Sequence, residues 1–245
     1  MYESLANLLR EGNRIVFFGG AGVSTESGIP DFRSVNGLYR QTYRFPPETI
    51  LSHTFFRKHP EEFFHFYRER MLCLSAQPNQ AHRALAKLEQ MGKLSAVITQ
   101  NIDGLHQSAG SQKVYELHGS VLRNTCLACR KTYPVTAIVS SQGIPTCSCG
   151  GIIKPDVVLY EESLDSTTVA GAIQAIAQAD LLIIGGTSLT VYPAAGLIDS
   201  YSGRDLVLIN QSQTSADERA TLCFHAPIGD VLGQAVQCLT DVLEK

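Results

Sequence analysis

Six short apolar runs constrain what this chain can fold into: "RIVFFGG" (14–20), "SAVITQN" (95–101), "KVYELHG" (113–119), "DVVLYEE" (156–162), "DLLIIGGTS" (180–188) and "DLVLIN" (205–210). Each is β-branched and ends in a polar or glycine-rich turn. Runs that are apolar throughout, with no alternation, suit strands covered on both faces of a parallel sheet. Helical patterns intervene at 79–92 and 166–180, and another occupies 230–245. This alternation predicts an α/β fold built on a doubly wound parallel sheet.

Two stretches break the rhythm. Residues 39–75 are aromatic and helical, and residues 123–155 carry a cysteine cluster among Gly/Pro turns. Both read as insertions that pack together as a smaller domain, leaving 1–38, 76–122 and 156–245 for the larger one. The first residues place Leu5, Leu8 and Leu9 at helical spacing, with no basic start and apolar core of an export signal. A net charge of -3 offers no basic field for nucleic acid, and no apolar run approaches the ~20 residues of a membrane helix.

Cys126, Cys129, Cys147 and Cys149 are spaced C-x2-C, a gap of 17 residues, then C-x-C. Four thiolates on two knuckles can surround one tetrahedral zinc, with Gly150 and Gly151 helping the second knuckle turn. Such a closed site is structural, since no coordination position remains for water; a redox dithiol is the alternative. Cys73, Cys223 and Cys238 are scattered and read as small buried apolar residues. With no disulfide pattern, a reducing, cytoplasmic setting is expected.

Gly20, Ala21 and Gly22 follow the first strand, where glycines let a backbone approach a pyrophosphate and a following helix N-terminus would supply N–H groups. The third glycine of the dinucleotide fingerprint is replaced by Thr25, and no acidic residue closes a second strand at the usual distance. A tight turn alone would explain the motif. Three other strand ends strengthen the ligand reading: Gln100, Asn101 and Asp103 in "TQNIDGLH", Thr187 and Ser188 in "GGTSL", and Asn210 in "INQS". Strand ends line the crevice of an open α/β sheet, and these groups suit a nucleotide. Asn101 could instead cap a helix, and Ser188 satisfy a turn. His118, in "ELHGS", is the best candidate base, with His106 its competitor from a presumed turn or helix. No G-x-S-x-G elbow marks a serine hydrolase.

In order, "GAGVSTESGIPDFR", "TQNIDGLH", "ELHG", the four-cysteine module, "KPDVVLYEE", "GTSLTVYP" and "LIN" resemble the sirtuins, the NAD-dependent protein lysine deacylases, in their bacterial form. The resemblance spans about residues 14–232. It implies a Rossmann-like large domain, a small domain of zinc ribbon plus helical module, and a cleft where NAD meets acyl-lysine. The acyl group would pass to ADP-ribose, releasing nicotinamide.

By position, the resemblance implies that Gly20, Ala21, Gly22 and Thr25 face the NAD phosphates and ribose. Asp31, Phe32 and Arg33 would belong to a cofactor-covering loop. Gln100, Asn101, Ile102 and Asp103 would hold the nicotinamide ribose and carboxamide. Gly186, Thr187, Ser188 and Asn210 would bind the adenosine half, with Ile228 near the adenine. His118 would be the general base and Asn101 its catalytic companion. Val158 and Tyr160 would flank the lysine stem of a peptide added as a strand.

The function so implied is NAD-dependent protein lysine deacetylation. Tyr67 and Arg70, spaced Y-x-x-R, resemble the pair of sirtuins that remove succinyl or malonyl groups, where an Arg can pair with a distal carboxylate; a solvated Arg on an ordinary amphipathic helix is the plainer reading. An NAD-dependent ADP-ribosyltransferase and a non-catalytic NAD-sensing zinc-ribbon protein are the further alternatives. Acylated-lysine proteins are the expected partners, with no membrane or nucleic acid.

Overall fold

The computed structural model describes residues 2–32, 37 and 43–243. In chain order the strands are β1 (Ile15–Gly19), β2 (Leu94–Thr99), β3 (Val114–Glu116), β4 (Gly119–Cys126), β5 (Thr132–Pro134), β6 (Ile153–Val157), β7 (Leu181–Gly185), β8 (Asp205–Ile209) and β9 (Leu222–Phe224). The α-helices are α1 (Tyr2–Glu11), α2 (Pro47–Ile50), α3 (His53–Lys58), α4 (Pro60–Phe66), α5 (Gln80–Gln90), α6 (Leu105–Ser108), α7 (Thr136–Val139), α8 (Ser166–Gln178) and α9 (Ile228–Leu243).

Six strands form one parallel sheet in the order β3-β2-β1-β7-β8-β9. β1 is buried along its whole length. Its alternation sends Ile15 and Phe17 into a core with α1, α5 and α9, and Val16 and Phe18 into a second core with α8 and the 3₁₀ segment Ala194–Ser200. Two-sided burial explains why β1, β7 and β8 read as continuous apolar runs. The chain runs outward from β1 through β2 to β3, then returns beside β1 at β7. The sheet's direction of growth therefore reverses between β1 and β7, and a crevice opens beyond their carboxyl ends.

A second sheet, β5-β4-β6, is antiparallel. Its Val121, Cys126, Ile153 and Val157 share one core with Phe55, Phe56, Phe63, Phe64 and Tyr67 from the helical segment. Several aromatic rings there meet edge-to-face, as in the Phe56–Phe63 and Phe63–Phe64 pairs, at 5.0 and 5.3 Å between centroids, while Phe63 and Tyr67 stack.

The structure corrects several expectations. "DVVLYEE" supplies no strand to the parallel sheet. β6 starts earlier and ends at Val157, pairs with β4, and alternates buried and half-buried residues, as a one-faced antiparallel strand should. The sixth place belongs to β9, whose three residues were too short to stand out. The glycine loop is followed by two 3₁₀ turns, Ala21–Val23 and Thr25–Ser27, and no α-helix. Pro60 breaks the aromatic stretch by starting α4 at its first turn.

Candidate functional site

A cavity of about 540 Å³ lies at the carboxyl ends of the parallel strands, with the aromatic core forming its opposite wall. Its floor is the crossing of two glycine turns. Gly22 N–H donates to the Gly186 carbonyl at 2.8 Å. A Cβ on Gly22 would stand 2.8 Å from Gly186 Cα, and Gly186 itself has φ +60° and abuts Val23. Gly20 is held equally close, 2.9 Å from Thr187 Cβ by the same construction. These glycines therefore permit close backbone approach. Asn79 braces the loop from behind: its Nδ2 donates to the Val23 carbonyl at 2.7 Å while its Oδ1 caps α5.

Beyond β2, three polar groups form a chain. Asn101 Nδ2 donates to Ser24 Oγ at 3.1 Å, and Ser24 Oγ donates to Asp103 Oδ2 at 2.7 Å. Asp103 Oδ1 also accepts from Leu105 N–H at 2.9 Å, and Gly104 turns the chain there with φ +76°. Gln100 Nε2 reaches across to Thr187 Oγ1 at 3.1 Å, joining the two sides of the crevice. Thr25 Oγ1 donates to the Gly22 carbonyl at 3.0 Å.

His118 follows β3 and lines the same cavity. Its Nδ1 lies 2.9 Å from the Gln100 carbonyl oxygen. Burial holds its pKa below the ordinary histidine value, although the Gln100 carbonyl pulls the other way. Next to it, Gly119 has φ +78°, and a Cβ there would run into the Asp156 carbonyl. His106 does not reach the cavity. It is buried against His82, with ring centroids 4.7 Å apart, and burial takes its pKa down to about 3.

Ala21, Asp31, Phe32 and Ile102 border the cavity, as do Ser188, Asn210 and Ile228 towards its other end. Ser188 Oγ is paired with Thr190 Oγ1 at 2.8 Å, and Asn210 Nδ2 donates to the Ser212 carbonyl at 2.8 Å. Val158 and Tyr160 lie past the end of β6. Val158 N–H donates to the His118 carbonyl, and Tyr160 N–H to the Leu51 carbonyl, both at 2.9 Å. Tyr67 and Arg70 also line the cavity, on the wide turn Tyr67–Met71. Tyr67 is fully buried and its hydroxyl has no partner. Arg70 is exposed, in keeping with the plainer reading of a solvated Arg on an amphipathic helix, while Tyr67 is turned inward.

The four cysteines lie outside this cavity. The Sγ atoms of Cys126 and Cys149 are 3.5 Å apart, and those of Cys129 and Cys147 are 3.6 Å apart. Metal–sulfur bonds of about 2.3 Å at tetrahedral angles require edges of about 3.8 Å, so the quartet fits one zinc ion. Gly151 is needed because a Cβ would stand 2.7 Å from Cys126 Sγ.

The Sir2 family profile matches residues 20–193. The chain belongs to the Sir2 family. An NAD-dependent protein deacetylase of Clostridium perfringens is 59% identical over 238 residues, covering 96% of this chain and 98% of its own. The Staphylococcus aureus (strain N315) protein of the same name is 45% identical, covering 91% and 93%. Among solved structures, a Sir2 protein with p53 peptide and NAD+ superposes with TM-score 0.86 at 40% identity, each chain covered in full. Another, described under the mechanism and regulation of Sir2 enzymes, has TM-score 0.89 at 39% identity and 98% coverage of both.

Within this Sir2 chain the sequence-predicted cleft residues share one cavity, except Arg33, which lies outside the described residues. The sequence reading missed Ser24, the hub between Asn101 and Asp103. Its signal was present in "GAGVST", but a serine in a turn looks like any other. It also misjudged the scattered cysteines: Cys223 is exposed, Cys73 and Cys238 are half-buried, and Cys73 borders the cavity. Among the described residues, no helix is long and apolar enough to cross a membrane.

Proposed function

We propose that this protein is an NAD-dependent protein lysine deacetylase that releases nicotinamide and forms O-acetyl-ADP-ribose. The observation that carries this reading is the bond from His118 Nδ1 to the Gln100 carbonyl within the cavity. A carbonyl accepts only, so the proton sits on Nδ1 and Nε2 keeps a lone pair. Lowered basicity keeps the ring neutral at physiological pH. His118 is thus a base that can take a proton from a ribose hydroxyl, and His118 and Asn101 are the catalytic residues.

Bound NAD supplies an ADP-ribosyl group whose nicotinamide can leave. Gly20, Ala21, Gly22 and Thr25 face its phosphates and proximal ribose. Gln100, Asn101, Ile102 and Asp103 hold the nicotinamide half, preset by the Ser24 bridge. Gly186, Thr187, Ser188, Asn210 and Ile228 take the adenosine half. Asp31, Phe32 and Arg33 cover the reacting face and exclude water. Val158 and Tyr160 flank the substrate lysine stem on an acylated protein partner. Cys126, Cys129, Cys147 and Cys149 hold a structural zinc. We assign 1–38, 76–122 and 156–245 to the cofactor domain, and 39–75 with 123–155 to the small domain. Free thiols support a reducing, cytoplasmic setting.

A second reading, removal of succinyl or malonyl groups, is favoured by one observation: the unpartnered Tyr67 hydroxyl and the Arg70 guanidinium border the same cavity. Incubating the protein with NAD and acetyl- or succinyl-lysine peptides, with mass detection of products, tests both. Nicotinamide and O-acetyl-ADP-ribose from the acetyl peptide are expected. NAD left intact with every peptide overturns the enzymatic reading.

A further inference from the structure

The geometry points to a second metal site in this protein, a surface site for a borderline divalent transition ion of the Zn²⁺ class, formed by Asp217, Cys223 and His225. Strand periodicity puts Cys223 and His225 on one side of the chain at the end of β9, with Phe224 between them turned into the core. Asp217 comes from the turn that leads into that strand. The three ligand atoms converge: Cys223 Sγ is 3.8 Å from Asp217 Oδ2 and 3.5 Å from His225 Nε2. His225 Nε2 is 3.2 Å from Asp217 Oδ2. Tetrahedral bonds of about 2.0–2.3 Å to O, N and S place such atoms about 3.3–3.8 Å apart, so one ion fits among all three.

The surroundings orient each ligand. His225 Nδ1 lies 3.2 Å from the Asn210 carbonyl oxygen, which fixes the tautomer that leaves the Nε2 lone pair free. Asp217 Oδ1 accepts from Thr214 N–H and Oγ1, each at 2.8 Å, which leaves Oδ2 free to bind a metal. Without a cation, a thiolate at Cys223 would face the Asp217 carboxylate. With a divalent ion the thiol gives its proton to solvent, a metal–sulfur bond forms, and the charges of thiolate, carboxylate and ion cancel around a neutral imidazole. One N and one S donor select against Mg²⁺ and Ca²⁺, which prefer oxygen. Three protein ligands leave a fourth position to water, so this site holds metal more weakly than the four-cysteine cluster. Occupied, it clips the 211–217 loop to β9 beside the cavity-lining Gln211 and Ser212.

The test is a titration of the untagged full chain, with zinc already in the four-cysteine site, using Co²⁺ as the probe. One further equivalent of Co²⁺ is expected, with a thiolate-to-cobalt charge-transfer band that excess Zn²⁺ abolishes. Cys223→Ser should lose the band and Asp217→Asn weaken binding, while the zinc of the four-cysteine site and the melting temperature stay unchanged. Zn²⁺ should also block alkylation of Cys223, read by mass spectrometry without any assay of activity. No uptake beyond the first site, or a band that survives in Cys223→Ser, overturns the proposal.

Discussion

His118 presents Nδ1 to the Gln100 carbonyl oxygen at 2.9 Å, so the proposed base is tied to the backbone of the residue beside Asn101. Only neutral His118 can accept a proton, and burial lowers its pKa. Activity therefore falls as pH drops through the folded-state value, which lies below the ordinary ~6.5. A pH profile of kcat/KM should put the acid limb under that value. His118→Ala should cut turnover by about 10²-fold or more, with NAD affinity nearly unchanged by calorimetry. An acid limb above the ordinary value excludes His118 as the group observed.

Ser24 accepts from Asn101 and donates to Asp103, and it is buried. Ser24→Ala leaves Asn101 Nδ2 and Asp103 Oδ2 short of a partner, at a cost of about 1–3 kcal/mol. Denaturant unfolding should show that loss, and NAD titration a weaker complex. Wild-type values in both would mean the three side chains do not act as a unit.

Tyr67→Phe removes a buried hydroxyl with no partner. Stability should hold or rise, because no bond is broken, within about 1 kcal/mol. If the pair reads an acidic acyl group, Tyr67→Phe and Arg70→Met should each depress kcat/KM on succinyl-lysine far more than on acetyl-lysine. Equal effects on the two peptides remove the pair from that role.

β4 carries Gly119, next to His118, at one end and Cys126 at the other. Stripping zinc with a chelator should release the small sheet's anchor and abolish turnover. If ADP-ribose rests, as proposed, on the glycine turns that follow β1 and β7, it should still bind. Metal content by mass spectrometry and ADP-ribose calorimetry check this; full turnover in metal-free protein contradicts it.

His82 and His106 are both buried, and burial takes their pKa values down to about 4 and about 3. Unfolded, each binds a proton near ~6.5, so below that pH the unfolded state holds more protons. Their contribution to stability is intact above ~6.5 and erodes as pH falls towards 4, at up to about 1.4 kcal/mol per pH unit for each ring. Denaturation midpoints across that window should fall with pH. His106→Leu should flatten the slope by about one proton; an unchanged slope removes His106 from the effect.

The parallel sheet was legible because two-sided burial imprints itself as unbroken apolar runs at β1, β2, β7 and β8. β9 was not, since three residues at a sheet edge carry little pattern. The glycine turns and the strand-end amides were readable because each sits at a fixed place after a strand. Ser24 was not readable, since its importance arises from two partners, one 77 and one 79 positions away. Tyr67 could be singled out with Arg70 by the Y-x-x-R spacing, but its burial could not be read there. Only the tertiary fold reveals that the ring is entombed while its hydroxyl is left bare. "DVVLYEE" misled because its first alternating half, upstream at Ile153–Pro155, fell outside the apolar run.

The aromatic core joins Phe55–Tyr67 to Val121–Leu159, two stretches divided by α5, β2, α6 and β3. During synthesis, the phenylalanines of α3 and α4 emerge long before β4 and β6 exist to cover them. They must wait, greasy and uncovered, while the intervening βα segment is made. This is a long-range closure of the kind that slows folding and invites aggregation. The aromatic wall of the cleft can thus close only once Leu159 has emerged, and the parallel sheet waits longer still, for β9 and α9.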